Sequence, residues 1–108
     1  MRAGRLRASG TFQRQVTTRD AAGQVLDVWE DIDDARVDIE PISGREYFNA
    51  SGERAVITHR IRTRYKFSLA TLKPRDRLVS NGRVFNLHSV LNHRERKREF
   101  EIMAEEVV

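Results

Sequence analysis

Short runs that alternate apolar and polar residues fill this chain. Thr11-Phe12-Gln13-Arg14-Gln15-Val16-Thr17 sets Phe12 and Val16 on one side, the period-two signature of a half-buried strand. Asp20-Ala21-Ala22-Gly23 carries turn chemistry. Val25, Leu26, Val28 and Trp29 predict a second strand. Ala35, Val37 and Ile39, alternating with Arg36, Asp38 and Glu40, predict a third. The acidic run Glu30-Asp31-Ile32-Asp33-Asp34 reads as a solvated connector between them. Pro41 is expected to end the third strand, because it has no N–H to give a ladder.

The pattern then changes. Ser43-Gly44-Arg45-Glu46 fits a capping box, with Ser43 as N-cap and Glu46 returning the bond. A short helix to about residue 51 follows from it, presenting Tyr47 and Phe48 and stopped by Ser51-Gly52. So short a helix is marginal alone, and burying the two aromatics would contribute roughly 1.5–3 kcal/mol each. The longest strand is predicted over residues 55–67. Ile57, His59, Ile61, Thr63 and Tyr65 share one face; Thr58, Arg60, Arg62, Arg64 and Lys66 share the other. A one-residue slip would bury the arginines, so the register is strongly specified. Lys73-Pro74-Arg75-Asp76 is a turn. Asn81-Gly82, between Leu78-Val79 and a strand starting at Val84, predicts a tight hairpin with a type I′ turn. A closing strand over residues 98–104 alternates Phe100 and Ile102 with Glu99, Glu101 and Met103.

These elements predict a mainly β fold: one domain over residues 1–108, a small β-barrel or sandwich with one short helix and long loops. A length of 108 residues suits a single core. Hydrophobic residues at 39% and charged residues at 33% give a thin core, as in a small barrel or a subunit stabilised by neighbours. Such a chain manages its sheet edges by closing on itself or by letting a second subunit cover them.

Charge is segregated along the chain. Residues 20–40 are acidic apart from Arg36, and residues 54–77 are basic apart from Asp76. Two readings stay open. Opposite faces of one subunit can dock on copies of itself, or adjacent strands can neutralise each other. The net charge of +4 does not by itself assign a nucleic-acid partner. No apolar run nears the ~18 residues of a membrane span, and residues 1–7 lack the apolar stretch of a secretory signal. A soluble protein made in a cytoplasm is expected.

Chemistry is hard to find. The absence of cysteine excludes disulfides, thiolate zinc sites and thiol nucleophiles. His59, His88 and His93 have no ligand spacing, and His59 reads as a hydrogen-bonded core residue. The acidic run lacks the glycine and terminal glutamate of a calcium loop. No nucleophile elbow and no phosphate-cradling glycine loop occurs. No enzymatic activity, cofactor or metal is expected. What remains is the stripe of Arg60, Arg62, Arg64 and Lys66, confined to about 20 Å of strand. Solvent, acids on a neighbouring strand, a partner subunit or phosphates can balance it. Phosphate contact would be independent of sequence, as with DNA that passes by.

Several motifs, in order, resemble the phage head–tail joining (head-closure) adaptors. They are Met1 to Arg7, Phe12-Gln13-Arg14, the Asp20–Gly23 turn and Val25 to Trp29. Ile39 to Phe48, Thr58-His59-Arg60-Ile61-Arg62-Thr63-Arg64-Tyr65, Gly82-Arg83-Val84-Phe85 and the acidic closing strand complete the set. Two departures are the loop near residues 68–71, without Gly or Pro, and the residues around Ser9-Gly10 that lengthen the first entry.

The resemblance implies a ring, typically dodecameric, below the portal in the virion neck. The ring seals the packaged genome and docks the tail. Implied partners are further copies of the chain, the portal-side connector adaptor, a tail-completion or tail-terminator protein and, non-specifically, packaged DNA. Arg45, Arg60, Arg62, Arg64 and Lys66 become candidate inter-subunit or DNA-channel contacts. Ser43, Glu46, Tyr47, Phe48, Asn81 and Gly82 become structural corners. Residues 44–54 and 70–77 are expected to be mobile in the free monomer. A stand-alone nucleic-acid-binding barrel and a neighbouring tail-completion protein are the alternative readings.

Overall fold

The computed structural model describes residues 7–48, 54–92 and 98–107, with the backbone alone at 43–48, 54–55 and 92. Six strands form it: β1 (Ala8–Arg19), β2 (Val25–Phe48), β3 (Arg54–Arg64), β4 (Arg77–Ser80), β5 (Arg83–Asn92) and β6 (Glu99–Val107). All pair antiparallel, in the order β1-β2-β3-β6-β5-β4, and β4 returns to β1 to close a barrel. Closure removes the open edges from the body of the sheet. Inside lie Phe12, Val37, Ile61, Leu69, Leu78, Phe85, Leu87, Phe100, Ile102 and Ala104, with Leu72 beside them. Apart from Leu69 and Leu72, which come from the connection between β3 and β4, they occupy alternate positions of the strands, as the period-two pattern requires.

Three expectations are corrected. The acidic run is not a connector but part of β2, which continues unbroken from Val25 to Phe48. The extra residue Ile32 is taken up by a bulge, since Phe12 pairs with Asp33 and Gln13 with Asp31. Ile32 packs against the core, so the run keeps one apolar anchor among its acids. Nor does Pro41 end a strand. It pairs with His59, and the register with β3 then jumps to Arg45 opposite Ile57. Proline is tolerated at such a bulge because the ladder is already interrupted there.

The third correction concerns the capping box. Ser43 to Phe48 are strand, and Glu46, Tyr47 and Phe48 pair with Val56, Ala55 and Arg54. A helix of one or two turns recovers few hydrogen bonds for its nucleation cost, whereas a strand extending an existing ladder adds them at once. The end of the expected helix lies outside the described residues, as does His93. Among the described residues the one helical element is a 3₁₀ turn at Phe67–Leu69; β3 stops at Arg64, and β2 is the longest strand.

Asn81 and Gly82 have φ of 51° and 76°, the two positive values of a type I′ turn between β4 and β5. Gly10 has a different reason to be glycine. A Cβ there would sit 2.6 Å from Leu78 Cδ1 and 3.2 Å from the Val79 carbonyl oxygen, where β1 meets β4 inside the barrel. Leu78 is fully buried and has little room to yield. Gly10→Ala is expected to cost about 1–3 kcal/mol by overpacking, read as a lower urea midpoint at unchanged m-value.

Candidate assembly surface

Both mouths of the barrel are closed by charged side chains. At the end where β3 leads into β4, residues 65–76 lie across the opening and bury Leu69 and Leu72. Asp76 is buried beside them. Its carboxylate accepts from Arg14 Nε at 3.1 Å, from Arg14 Nη2 at 2.9 Å and from the Lys73 N–H at 3.0 Å. Arg14 Nη2 also donates to the Thr71 carbonyl at 2.7 Å. The Leu87 N–H donates to the Asp76 carbonyl, and the Arg75 N–H donates to the Leu87 carbonyl. The connection expected to be loose is therefore tied to both β1 and β5. The hydrogen bond from Arg14 to Asp76 raises the guanidinium's pKa against the opposing effect of burial.

The other mouth, beside the Asn81-Gly82 hairpin, is lidded by His59, Arg83 and Glu106 over Phe85. Arg83 donates to both Glu106 oxygens, at 2.9 and 3.1 Å, and its guanidinium lies 4.9 Å from the Phe85 ring. The His59 ring meets Phe85 edge-on at 5.1 Å. The Thr58 hydroxyl accepts from the Glu106 N–H and lies 2.8 Å from His59 Nδ1, while Arg83 Nη2 lies 3.3 Å from Nε2. A neutral ring with its proton on Nδ1 satisfies all of these, donating to Thr58 and accepting from Arg83. Burial lowers the His59 pKa and Arg83 adds to that, against the pull of Glu106. Arg83 in turn holds Glu106 below the usual carboxylate range.

Three members of the arginine stripe lie on the outer face of β3, and carboxylates flank them. Arg60 is opposite Glu40, Arg62 sits between Asp38 and Glu101, and Arg64 is opposite Glu99. Arg60 Nε is 3.2 Å from Glu101 Oε1 and its Nη1 4.0 Å from Glu40 Oε2. The buried Nε atoms of Arg60 and Arg62 nevertheless have no aligned acceptor. Arg62 and Arg64 form no ion pair with a described residue. Acids on neighbouring strands thus take up part of the stripe, as one of the two readings of the charge blocks expects.

Lys66 lies past the end of β3. Its Nζ sits 2.8 Å from Asp33 Oδ2 and donates to the Asp34 carbonyl at 2.9 Å. Arg45 lies in β2, in register with Ile57. Its side chain, like those of Ser43, Glu46, Tyr47 and Phe48, is outside the described residues.

The hydrogen bonds from Lys66, first, and Ser68 bring Asp33 down to about 2. A carboxyl depressed on folding contributes stability that is present above its unfolded value and lost as pH falls through the folded one. Asp33→Asn is therefore expected to flatten the stability curve between pH 3.8 and about 2. Urea midpoints across that window check it, and a variant curve as steep as the parent's would contradict it.

Sequence reasoning missed the Arg14–Asp76 clamp and the lid. A signal for both existed. Arg14 falls between Phe12 and Val16 at period two, and Arg83 and Glu106 continue the apolar faces of Phe85 and of Ile102 and Ala104. A charge at the end of an inward-facing stripe marks a barrel mouth.

Comparison with known proteins agrees with this architecture. The solution structure of protein SF1141 from Shigella flexneri 2a is similar with a TM-score of 0.69 and 29% identity, covering 98% of this chain and 96% of that one. A chain in the virion of a native gene transfer agent particle shares the fold at a TM-score of 0.61 and 22% identity, covering 93% and 94%. No curated protein matches. The family described as Phage head completion protein matches residues 1–107. The chain belongs to that family, and its work is structural, in phage head–tail assembly.

Proposed function

We propose that this protein forms a ring below the portal that closes the DNA-filled head and offers the surface on which the tail docks. The family match along residues 1–107 carries the reading. A virion chain of the gene transfer agent with the same closed fold supports it. The protein acts through contacts, with no reaction of its own. Its partners are further copies of itself, twelve by the family pattern, the portal-side connector adaptor and a tail-completion or tail-terminator protein. It works in the virion neck after synthesis in the bacterial host cytoplasm.

Arg45, Arg60, Arg62, Arg64 and Lys66 are the side chains assigned to neighbours or to passing DNA. The carboxylates beside Arg60 and Lys66 favour protein neighbours for that face over a polyanion. Electron microscopy of completed heads tests the reading. A ring of this protein between portal and tail supports it; its density in the capsid shell or along the tail tube overturns it.

A further inference from the structure

Pairing within the subunit leaves a remainder, and the remainder is in two places. The first is a ribbon made by residues 14–19 of β1 and 25–30 of β2. β4 reaches β1 only as far as Gln13, and β3 pairs with β2 only from Val37 onward. Among the described residues the ribbon therefore stands beyond the barrel with no strand on either side. Its register puts Val16 opposite Val28 and Thr18 opposite Leu26, which makes one face apolar, with Glu30 at its end. Leu26 and Val28 are exposed there, and Val25 is exposed on the opposite face. A two-stranded ribbon in water is marginal by itself, and an uncovered apolar face makes it more so. Its acids form no ion pair with a described residue: Asp27 and Asp31 accept hydrogen bonds from the neutral Thr17 and Gln13 on the outer face. Glu30, in register with Arg14 on the apolar face, is exposed.

The second place is the end of β3. Arg62 and Arg64 lack an ion pair with any described residue, and the buried Arg62 Nε lacks an acceptor. Three residues past Arg64, Phe67 is 87% exposed, the most exposed large apolar side chain described. One region is thus apolar and acidic, the other aromatic and basic.

We propose that the β1–β2 ribbon of one copy packs against Arg62, Arg64 and Phe67 of the next copy. The inference rests on the reading of this chain as a ring subunit and names its contact. The occupant is a second copy because both halves of the complementary pair are carried by every chain. A partner of another kind would match one half and leave the other uncovered. The contact is heterologous, so its repetition generates a closed ring when the rotation closes. Charge sets the register of the two surfaces, and burial of Leu26, Val28 and Phe67 supplies the attraction.

The chain has no cysteine, so introduced thiols report without background. Val28→Cys and, at the exposed position beside Phe67, Ala70→Cys are made singly and together, and assembled on heads that lack the protein. A short bis-maleimide linker is then added. Expected are a covalent pair from mixed single variants, little product from either alone, and a ladder of multiples from the double variant. Arg64→Glu is expected to cut the yield at least about tenfold, and Glu30→Arg in the same chain to restore it. Abundant Val28→Cys homodimer, or no mixed product on heads that have become tailed, overturns the contact while the head-closure role stands. Mixed product on heads that stay leaky and tailless leaves the contact standing and overturns the role.

Discussion

Asp76→Ala is expected to lose about 3–5 kcal/mol of stability, the range for breaking a buried ion pair by removing one partner. Side-chain exposure decides the size: 2% for Asp76 against 29% for Arg14. The carboxylate gathers three donors, from two guanidinium nitrogens and the Lys73 N–H. Without it the Lys73 N–H and Arg14 Nε lose their acceptor close to the buried Leu69 and Leu72, and Arg14 Nη2 keeps only the Thr71 carbonyl of the bonds described. Arg14→Met tests the same bond from the other side and leaves a buried carboxylate with one backbone donor. Thermal unfolding should fall by at least about 12 °C for either variant, at ~4–8 °C per kcal/mol for a domain of this size. A double-mutant cycle should show strong coupling between the two positions. A loss under about 1 kcal/mol for both single variants would mean that the clamp does not hold the mouth.

Two phenylalanines should part company. Phe85 is fully buried beneath the lid, touching His59 and Arg83. Phe85→Ala is expected to cost about 3–5 kcal/mol, the lost transfer energy plus a cavity. Phe67 stands in solvent at 87% exposure, and Phe67→Ala should change stability by no more than about 0.5 kcal/mol. Its effect should appear instead in assembly, as failure to join tails. Urea unfolding and a tail-joining assay on the same two variants separate the effects. A stable, fully functional Phe67→Ala would remove the reason for an exposed aromatic at this place.

The two variants also mark what could be read in advance. Strand type, the Asn81-Gly82 turn and the inward face of Ile57, Ile61 and Thr63 were legible because period-two alternation and turn chemistry are local. The barrel was legible only as one of two closures. Choosing between them needs β4 to find β1, a long-range pairing that no local pattern encodes.

The failures have local causes. Ser43 to Glu46 satisfy a capping box in composition, yet β3 offers that segment a ladder, and tertiary pairing outweighs a weak local preference. The acids of residues 30–34 resemble a loop because polar residues dominate, but Ile32 at a bulge keeps the strand anchored. Arg14 and Asp76 are distant in sequence, and each alone has an ordinary solvated reading. The arginine stripe was visible from spacing. Its flanking carboxylates were visible only once β2 and β6 lay beside β3.

The most direct measurement adds the purified protein to DNA-filled, tailless heads that lack it. Retained DNA and tail attachment are then scored. Head closure predicts that the parent protein restores both and that Gly10→Ala restores both below its unfolding temperature; the ribbon contact adds that Phe67→Ala restores neither. Heads that keep leaking DNA and stay tailless with the folded parent protein would contradict it.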